Sequence, residues 1–126
     1  MKKCYYKKTL IGIKITSFAK GSIPQTNPKE SLGMLTIKLP KKTQIPAHIH
    51  KSVKKITYGS QECLIMKKGK IKIDLFGPDK KFFKSLLLKT GELFMVVSGG
   101  HKITVLEACE MFVIKNGPFK EDKIFI

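Results

Sequence analysis

The chain has 126 residues, enough for one compact domain, and a hydrophobic fraction of 42% excludes a mainly disordered protein. Its net charge of +16 would ordinarily suggest a nucleic acid partner, but all 25 basic residues are Lys. Arg, the residue that contacts phosphate and guanine through two hydrogen bonds, is absent. Fifteen Ile in the same chain indicate a compositional preference for Lys and Ile. Nucleic acid is therefore not the expected partner, and a selected polyanion site is the alternative.

The first predicted element is a strand near the amino end. Ile11, Ile13 and Ile15 alternate with residues of other kinds, and this period of two is typical of an extended strand. Residues 21–31 contain two Pro and are predicted to form a loop that leads to the main body. Because the edges of a small sheet must be covered, the apolar strand is expected to pair with a sheet edge, either in its own subunit or across the two-fold axis of a homodimer.

Further strand-like runs follow one another through the main body. Alternating runs occupy residues 35–39, 61–66, 70–75 and 101–105, and more continuously apolar runs occupy residues 86–88, 93–97 and 111–114. Turn-forming residues stand at 68–69, 77–79, 90–91, 98–100 and 116–118. Residues 51–60 are polar and basic and are predicted to form a long excursion between two strands. Eight or more short strands without helical periodicity predict an all-β sandwich or barrel.

Cysteine usage and hydropathy indicate the cellular environment. The three Cys, at positions 4, 63 and 109, are widely spaced and form no CxxC pair. This argues against a disulfide framework and for a reducing cytoplasmic location, with Cys63 and Cys109 buried as small hydrophobic residues. No run approaches the ~18 apolar residues of a membrane span, and the amino end makes a poor signal peptide, so no membrane partner is expected.

The three histidines of the chain carry the strongest functional signal. His48 and His50 form a His-x-His pair, and on an extended strand such residues point to one face about 6.5 Å apart. His101 follows two Gly, and Glu62 opens a strand. Three imidazoles and one carboxylate suit a divalent transition metal such as Fe, Mn, Zn or Ni. The alternatives are a satisfied core or loop histidine for His101 and a buried carboxylate paired with a Lys for Glu62.

These residues resemble the two motifs of the cupins. The first motif combines His-x-His with a Glu that is followed by six residues and a Gly, and the second begins with a Gly and ends with a His. The matching residues are His48, His50, Glu62, Gly69, Gly91 and His101. The resemblance covers residues 35–118 and is greatest to small single-domain bacterial cupins of unassigned activity.

The resemblance implies a cupin jelly-roll barrel, also called a double-stranded β-helix, as a single domain over residues 1–126. Residues 1–33 would form an amino-terminal strand and loop, residues 34–118 the cupin core, and residues 119–126 a tail. It also implies a metal ion in the mouth of the barrel. The implied metal ligands are His48, His50, Glu62 and His101, and the candidate residues of a substrate pocket are Tyr58 and Met66.

Two functions are open at this point, and no catalytic residue is assigned. One is a metal-dependent enzyme that acts on an oxygen-bearing small molecule, either an organic acid or a carbohydrate-like compound. The other is a non-catalytic module that binds a small molecule or has a regulatory role. An open coordination position and a basic mouth favour the enzyme. The absence of a second catalytic base favours the binding module.

Overall fold

The computed structural model describes residues 1–126, and half of them lie in eight β-strands. The strands are β1 (Lys2–Tyr6), β2 (Thr9–Ile15), β3 (Gly21–Pro24), β4 (Leu35–Lys38), β5 (Glu62–Phe76), β6 (Phe82–Lys89), β7 (Leu93–Val96) and β8 (Gly100–Lys115). The chain forms no helix, and therefore none that is long and apolar enough to cross a membrane. Strands β3 and β4 form a two-stranded sheet, and the other six form one antiparallel sheet.

The long strand β5 lies at the centre of the six-stranded sheet. One edge of β5 pairs with β8 along its whole length, from Glu62 opposite Lys115 to Phe76 opposite Gly100. The other edge pairs first with β7 and then with β6. Strand β2 extends the sheet beyond β7, and β1 pairs with β2 on the outside.

The pair formed by β5 and β8 is strongly curled. Glu62 begins β5, whereas His101 of β8 lies opposite Leu75, near the other end of the same strand. In a flat strand these two ends would be about 40 Å apart. The side chains of Glu62 and His101 are nevertheless 2.8 Å apart. The ribbon therefore bends back toward itself, and the sheet forms a half-barrel.

Gly69 lies at the bend of β5. The pairing with β8 shifts register three times between Met66 and Ile71, as β-bulges do where a strand bends. Gly69 has a φ of 91°, and a Cβ atom there would lie 2.8 Å from the Cα of Cys109 and even closer to the carbonyl oxygen of Ala108. Only glycine tolerates both the positive φ and the close backbone of β8. The backbone conformation and the close approach of β8 thus explain why a Gly ends the first sequence motif.

The inside of the curl holds the main hydrophobic core. Both halves of β5 contribute to this one cluster, as a strand bent around a core must do. The buried members are Cys4, Ile11, Leu64, Met66, Ile71, Ile73, Leu75, Leu88, Phe94 and Val96. A second cluster contains Ile13, Ile15, Cys63, Met95 and Val97. Cys63 is buried, as expected, whereas Cys109 is only partly buried.

The structure confirms the predicted all-β, jelly-roll class of fold, with an antiparallel sheet curled into a half-barrel. Three local predictions are wrong. Residues 68–69 form a bulge within β5 rather than a turn, because the pairing with β8 continues on both sides of them. For the same reason, residues 101–105 and 111–114 belong to one strand, β8. The predicted loop over 21–31 begins with strand β3, which pairs with β4.

The predicted amino-terminal strand is β2, and it pairs on both edges within its own subunit, with β1 and with β7. The strand that was expected to cover a sheet edge therefore does so inside its own subunit. Strands β1, β6 and β8 each pair along one edge only. The homodimer stays a prediction, and these three strands hold the sheet edges that it would use.

Candidate functional site

Glu62 and His101 form a hydrogen-bonded pair on the concave side of the half-barrel. Residues directly opposite each other share a face of a sheet, so His101 lies on the face of the core residue Leu75. Glu62 lies on the face of Leu64, two positions along β5. The bend then brings the two faces together. Nε2 of His101 donates to Oε1 of Glu62 over 2.8 Å, and both side chains are partly buried.

The hydrogen bond from His101 lowers the pKa of Glu62 below its ordinary value and outweighs the effect of burial, which raises it. Lys115, the cross-strand partner of Glu62, lowers this pKa further by its charge, whereas Asp122 raises it. In the tautomer that carries its proton on Nε2, Nδ1 is left as a hydrogen-bond acceptor. The pair thus consists of an ionised carboxylate and an imidazole oriented by it.

Lys115, Asp122 and Ser60 form a second polar cluster, which we call the Lys115 cluster. Nζ of Lys115 lies 3.2 Å from Oδ1 of Asp122, and the hydroxyl of Ser60 donates to the other carboxylate oxygen, Oδ2. The Lys115 side chain is only 14% exposed, whereas that of Asp122 is 43% exposed. The hydrogen bonds from Ser60 and Lys115 lower the pKa of Asp122, so this carboxylate is ionised at neutral pH.

Both groups line one cavity of about 560 Å³. One wall is the curled sheet, from Phe76 and Val96 to residues 98–103, and the opposite wall is formed by residues 122–126. Lys102 and Lys123 add positive charge at the lining. The volume falls within the range of small-molecule sites, and eight of the 16 lining residues have polar or charged side chains, which suits a polar ligand.

His48 and His50 lie elsewhere in the chain's architecture, between β4 and β5. The strand expected for this pair is not formed, because residues 41–57 make only one backbone hydrogen bond, from Thr43 to the carbonyl oxygen of Pro40. The two imidazole rings are exposed and meet edge-on, with centroids 5.1 Å apart. Nδ1 of His48 lies 2.7 Å from the carbonyl oxygen of Pro46.

The structure therefore brings the four predicted metal ligands together as two pairs, Glu62 with His101 and His48 with His50. No group of three or more His, Cys, Asp or Glu side chains is close enough to hold a metal ion. Two donors fall short of the three or four protein ligands that transition-metal sites use. As arranged, neither pair fits a metal ion by itself. A metal centre built from all four residues stays a prediction. It requires residues 39–61 to adopt another conformation, in which His48 and His50 lie beside the Glu62–His101 pair.

The two candidate pocket residues lie outside the cavity lining. Tyr58 is 93% exposed, and Met66 is buried in the core cluster. The Lys115 cluster and the wall formed by residues 122–126 were not predicted from the sequence. One signal was present: acidic residues are scarce in this chain, nine in all, so Asp122 after the turn at residues 116–118 stood out.

Comparison with family models, with curated proteins and with solved structures finds no match to this chain. The resemblance to the cupins therefore stays a prediction carried by the sequence motifs.

Proposed function

We propose that this chain is a binding module for a small oxygen-bearing organic anion, such as a hydroxy acid, which it takes into the cavity of the half-barrel. The observation that carries the proposal is the convergence of the Glu62–His101 pair and Lys115 on one cavity of about 560 Å³. A buried ion pair is a weak source of stability, because desolvation offsets most of the attraction between the charges. Polar groups gathered on an otherwise apolar concave face are therefore more consistent with ligand binding.

Each polar group has a defined role in this proposal. The ammonium group of Lys115 donates to a carboxylate oxygen of the ligand, since a charge-assisted hydrogen bond is strong where water is scarce. Glu62 holds the imidazole of His101 through Nε2, so that Nδ1 accepts a hydrogen bond from a hydroxyl group of the ligand. The apolar wall at Phe76 and Val96 covers the carbon skeleton.

The test is a calorimetric titration with a set of hydroxy acids and, for comparison, simple sugars. Lys115→Gln is expected to weaken the binding of an acid at least about tenfold, because hydrogen bonds to charged groups contribute about 1.5–3 kcal/mol. Lys120→Gln is the matched control, since Lys120 is exposed and does not line the cavity. An acid that binds Lys115→Gln as tightly as the unaltered protein contradicts the proposal, and so does a set in which only sugars bind.

A metal-dependent enzyme acting on the same class of molecule is the second candidate. The observation in its favour is that the four predicted ligands lie in two pairs, His48 with His50 and His101 with Glu62. A metal held by both pairs would polarise an oxygen of the bound molecule.

Elemental analysis of untagged protein from metal-replete cells tests this candidate. One equivalent of a transition metal that is lost in both His48→Ala and His101→Ala supports it, and Glu62→Gln should reduce the metal content less. Protein without stoichiometric metal, or a metal content that His48→Ala leaves unchanged, contradicts a centre built from all four residues. The binding module does not depend on this result.

A further inference from the structure

Residues 119–126, which we call the strap, cross the cavity without forming a strand. They follow the turn at Asn116 and Gly117, where the chain leaves β8. Residues 122–126 of the strap line the cavity. The strap thus forms a wall of the proposed binding site, opposite the curled sheet.

The strap is held by few contacts. None of its backbone groups forms a hydrogen bond with the backbone of the sheet. Ile124, Phe125 and Ile126 all remain largely exposed although they line the cavity. The anchored residue is Asp122, whose two carboxylate oxygens accept hydrogen bonds from Lys115 and Ser60, and Phe119 lies beside the same lysine, with Nζ of Lys115 5.2 Å from its ring centroid.

Asp122 places its carboxylate on two hydrogen-bond donors of the proposed binding site, Lys115 and Ser60. Lys115 belongs to β8 and lies opposite Glu62, so the sheet positions it independently of the strap. Ser60 precedes β5, in a segment held by the hydrogen bond from Asn116 Nδ2 to the carbonyl oxygen of Gly59. The donors are therefore parts of the framework, whereas the carboxylate that occupies them comes from the weakly held strap.

We infer that Asp122 is an internal substitute for the carboxylate group of the ligand, and that the ligand displaces the strap by taking its two positions on Lys115 and Ser60. This inference rests on the proposed function and narrows it to molecules with a carboxylate group. The strap then acts as an autoinhibitory segment, because every incoming carboxylate competes with one that is already attached to the chain.

The two-donor arrangement favours a carboxylate as the displacing group. Nζ of Lys115 and Oγ of Ser60 each serve one oxygen of the same planar carboxylate. Inorganic phosphate shares the oxyanion chemistry and serves as the comparison.

The experiment titrates acetate, its neutral analogue acetamide and inorganic phosphate into isotope-labelled protein and follows the amide signals by NMR. Asp122→Asn keeps the size of the side chain but removes the charge. It is expected to bind acetate about fivefold more tightly than the unaltered protein, the ratio that corresponds to the upper range for an exposed ion pair. Acetamide should not show this gain. Glu121→Gln is the matched control, because Glu121 pairs with Lys123 and does not line the cavity.

A second readout follows the strap itself. On addition of acetate to the unaltered protein, the amide signals of residues 123–126 should move toward their positions in Asp122→Asn, while those of Ile71 and Ile73, which are buried in β5 and do not line the cavity, stay in place. Asp122→Ala should show the same gain in acetate affinity and the same strap signals as Asp122→Asn, so the result does not depend on the correct folding of one variant.

Several results would overturn the inference. Equal affinity for acetate in the unaltered protein and in Asp122→Asn would do so, as would an equal gain in Glu121→Gln, which would indicate a general effect of charge. A stronger gain for phosphate than for acetate would contradict the assignment of a carboxylate. If hydroxy acids bind through Lys115 but the signals of the strap do not move, the proposed function stands and displacement of the strap is refuted. If acetate binds neither protein, the inference fails, and the separate titration with hydroxy acids decides the proposed function.

Discussion

Gly69→Ala is expected to destabilise the protein strongly, for two reasons that the structure separates. The residue has a φ of 91°, and a non-glycine residue in this region costs about 1–2 kcal/mol. The added Cβ would also collide with the carbonyl oxygen of Ala108, which belongs to the backbone of β8. Forcing extra volume into a packed structure costs about 1–3 kcal/mol more. The total of about 2–5 kcal/mol is a large share of the 5–15 kcal/mol that stabilises a typical domain.

Gly91→Ala is the matched control for this prediction. Gly91 has a φ of 84°, close to that of Gly69, but a Cβ there meets no atom within 4 Å. Both substitutions carry the cost of a non-glycine residue at positive φ, and both lower the entropy of the unfolded chain, so these two effects cancel in the comparison. The difference between the two variants therefore measures the collision alone, and we expect Gly69→Ala to be about 1–3 kcal/mol less stable than Gly91→Ala.

Urea unfolding followed by circular dichroism measures this difference directly, and thermal unfolding provides a second estimate. For a domain of this size, each 1 kcal/mol corresponds to roughly 3–5 °C in Tm. Equal destabilisation by the two substitutions would refute the reasoning, because it would mean that β8 yields at Ala108 without cost. The bend at Gly69 would then not depend on the close approach of the two backbones.

Four further predictions concern the site, the core, the thiols and the surface charge. The pKa of Glu62 is lowered in the folded protein, so the stability that its pair with His101 contributes is complete above the ordinary Glu pKa of about 4.3 and is lost as the pH falls through the lowered value. In urea unfolding, the difference in the free energy of unfolding between the unaltered protein and Glu62→Gln should therefore narrow below about pH 4.3, and a difference that stays constant down to about pH 3 would contradict this. Leu88→Ala should cost about 2–5 kcal/mol, since this fully buried residue belongs to the main core, and a loss under 1 kcal/mol would contradict the packing. Burial raises the pKa of the Cys63 thiol to about 11, so a thiol reagent at pH 8 should modify the more exposed Cys109 much faster than Cys63. Mass spectrometry of the peptides measures the two rates, and faster labelling of Cys63 would refute its burial. If the Lys excess is compositional, binding to DNA should be weak and should fall steeply with added salt. Sequence-preferring binding with a Kd below about 1 μM at physiological ionic strength, roughly 100-fold tighter than non-specific binding, would favour a selected polyanion site.

The class of the fold and one half of the site, Glu62 and His101, could be predicted from the sequence. Side chains alternate along a strand with a period of two, so the buried face of β5 at Ile71, Ile73 and Leu75 could be identified from neighbouring residues alone. Glu62 and His101 were selected by their place in the motifs, and the structure brings them into contact. Lys115 lies opposite Glu62 in the sheet, but its ammonium group pairs with Asp122, so the structure pairs Glu62 with His101 and not with the Lys of the alternative prediction.

Where these local elements meet depends on contacts between residues that are far apart in the chain. Whether residues 68–69 end a strand or bend it depends on the backbone of β8, about 40 residues later, and no local pattern contains that information. The same holds for Asp122, which reaches both Lys115 and Ser60 because β8 pairs with β5 there and the chain then returns to that end of the pair. The His48–His50 pair is the opposite case. Its spacing suits a strand, but a strand forms only where a neighbouring strand supplies hydrogen bonds, and residues 41–57 have no such neighbour.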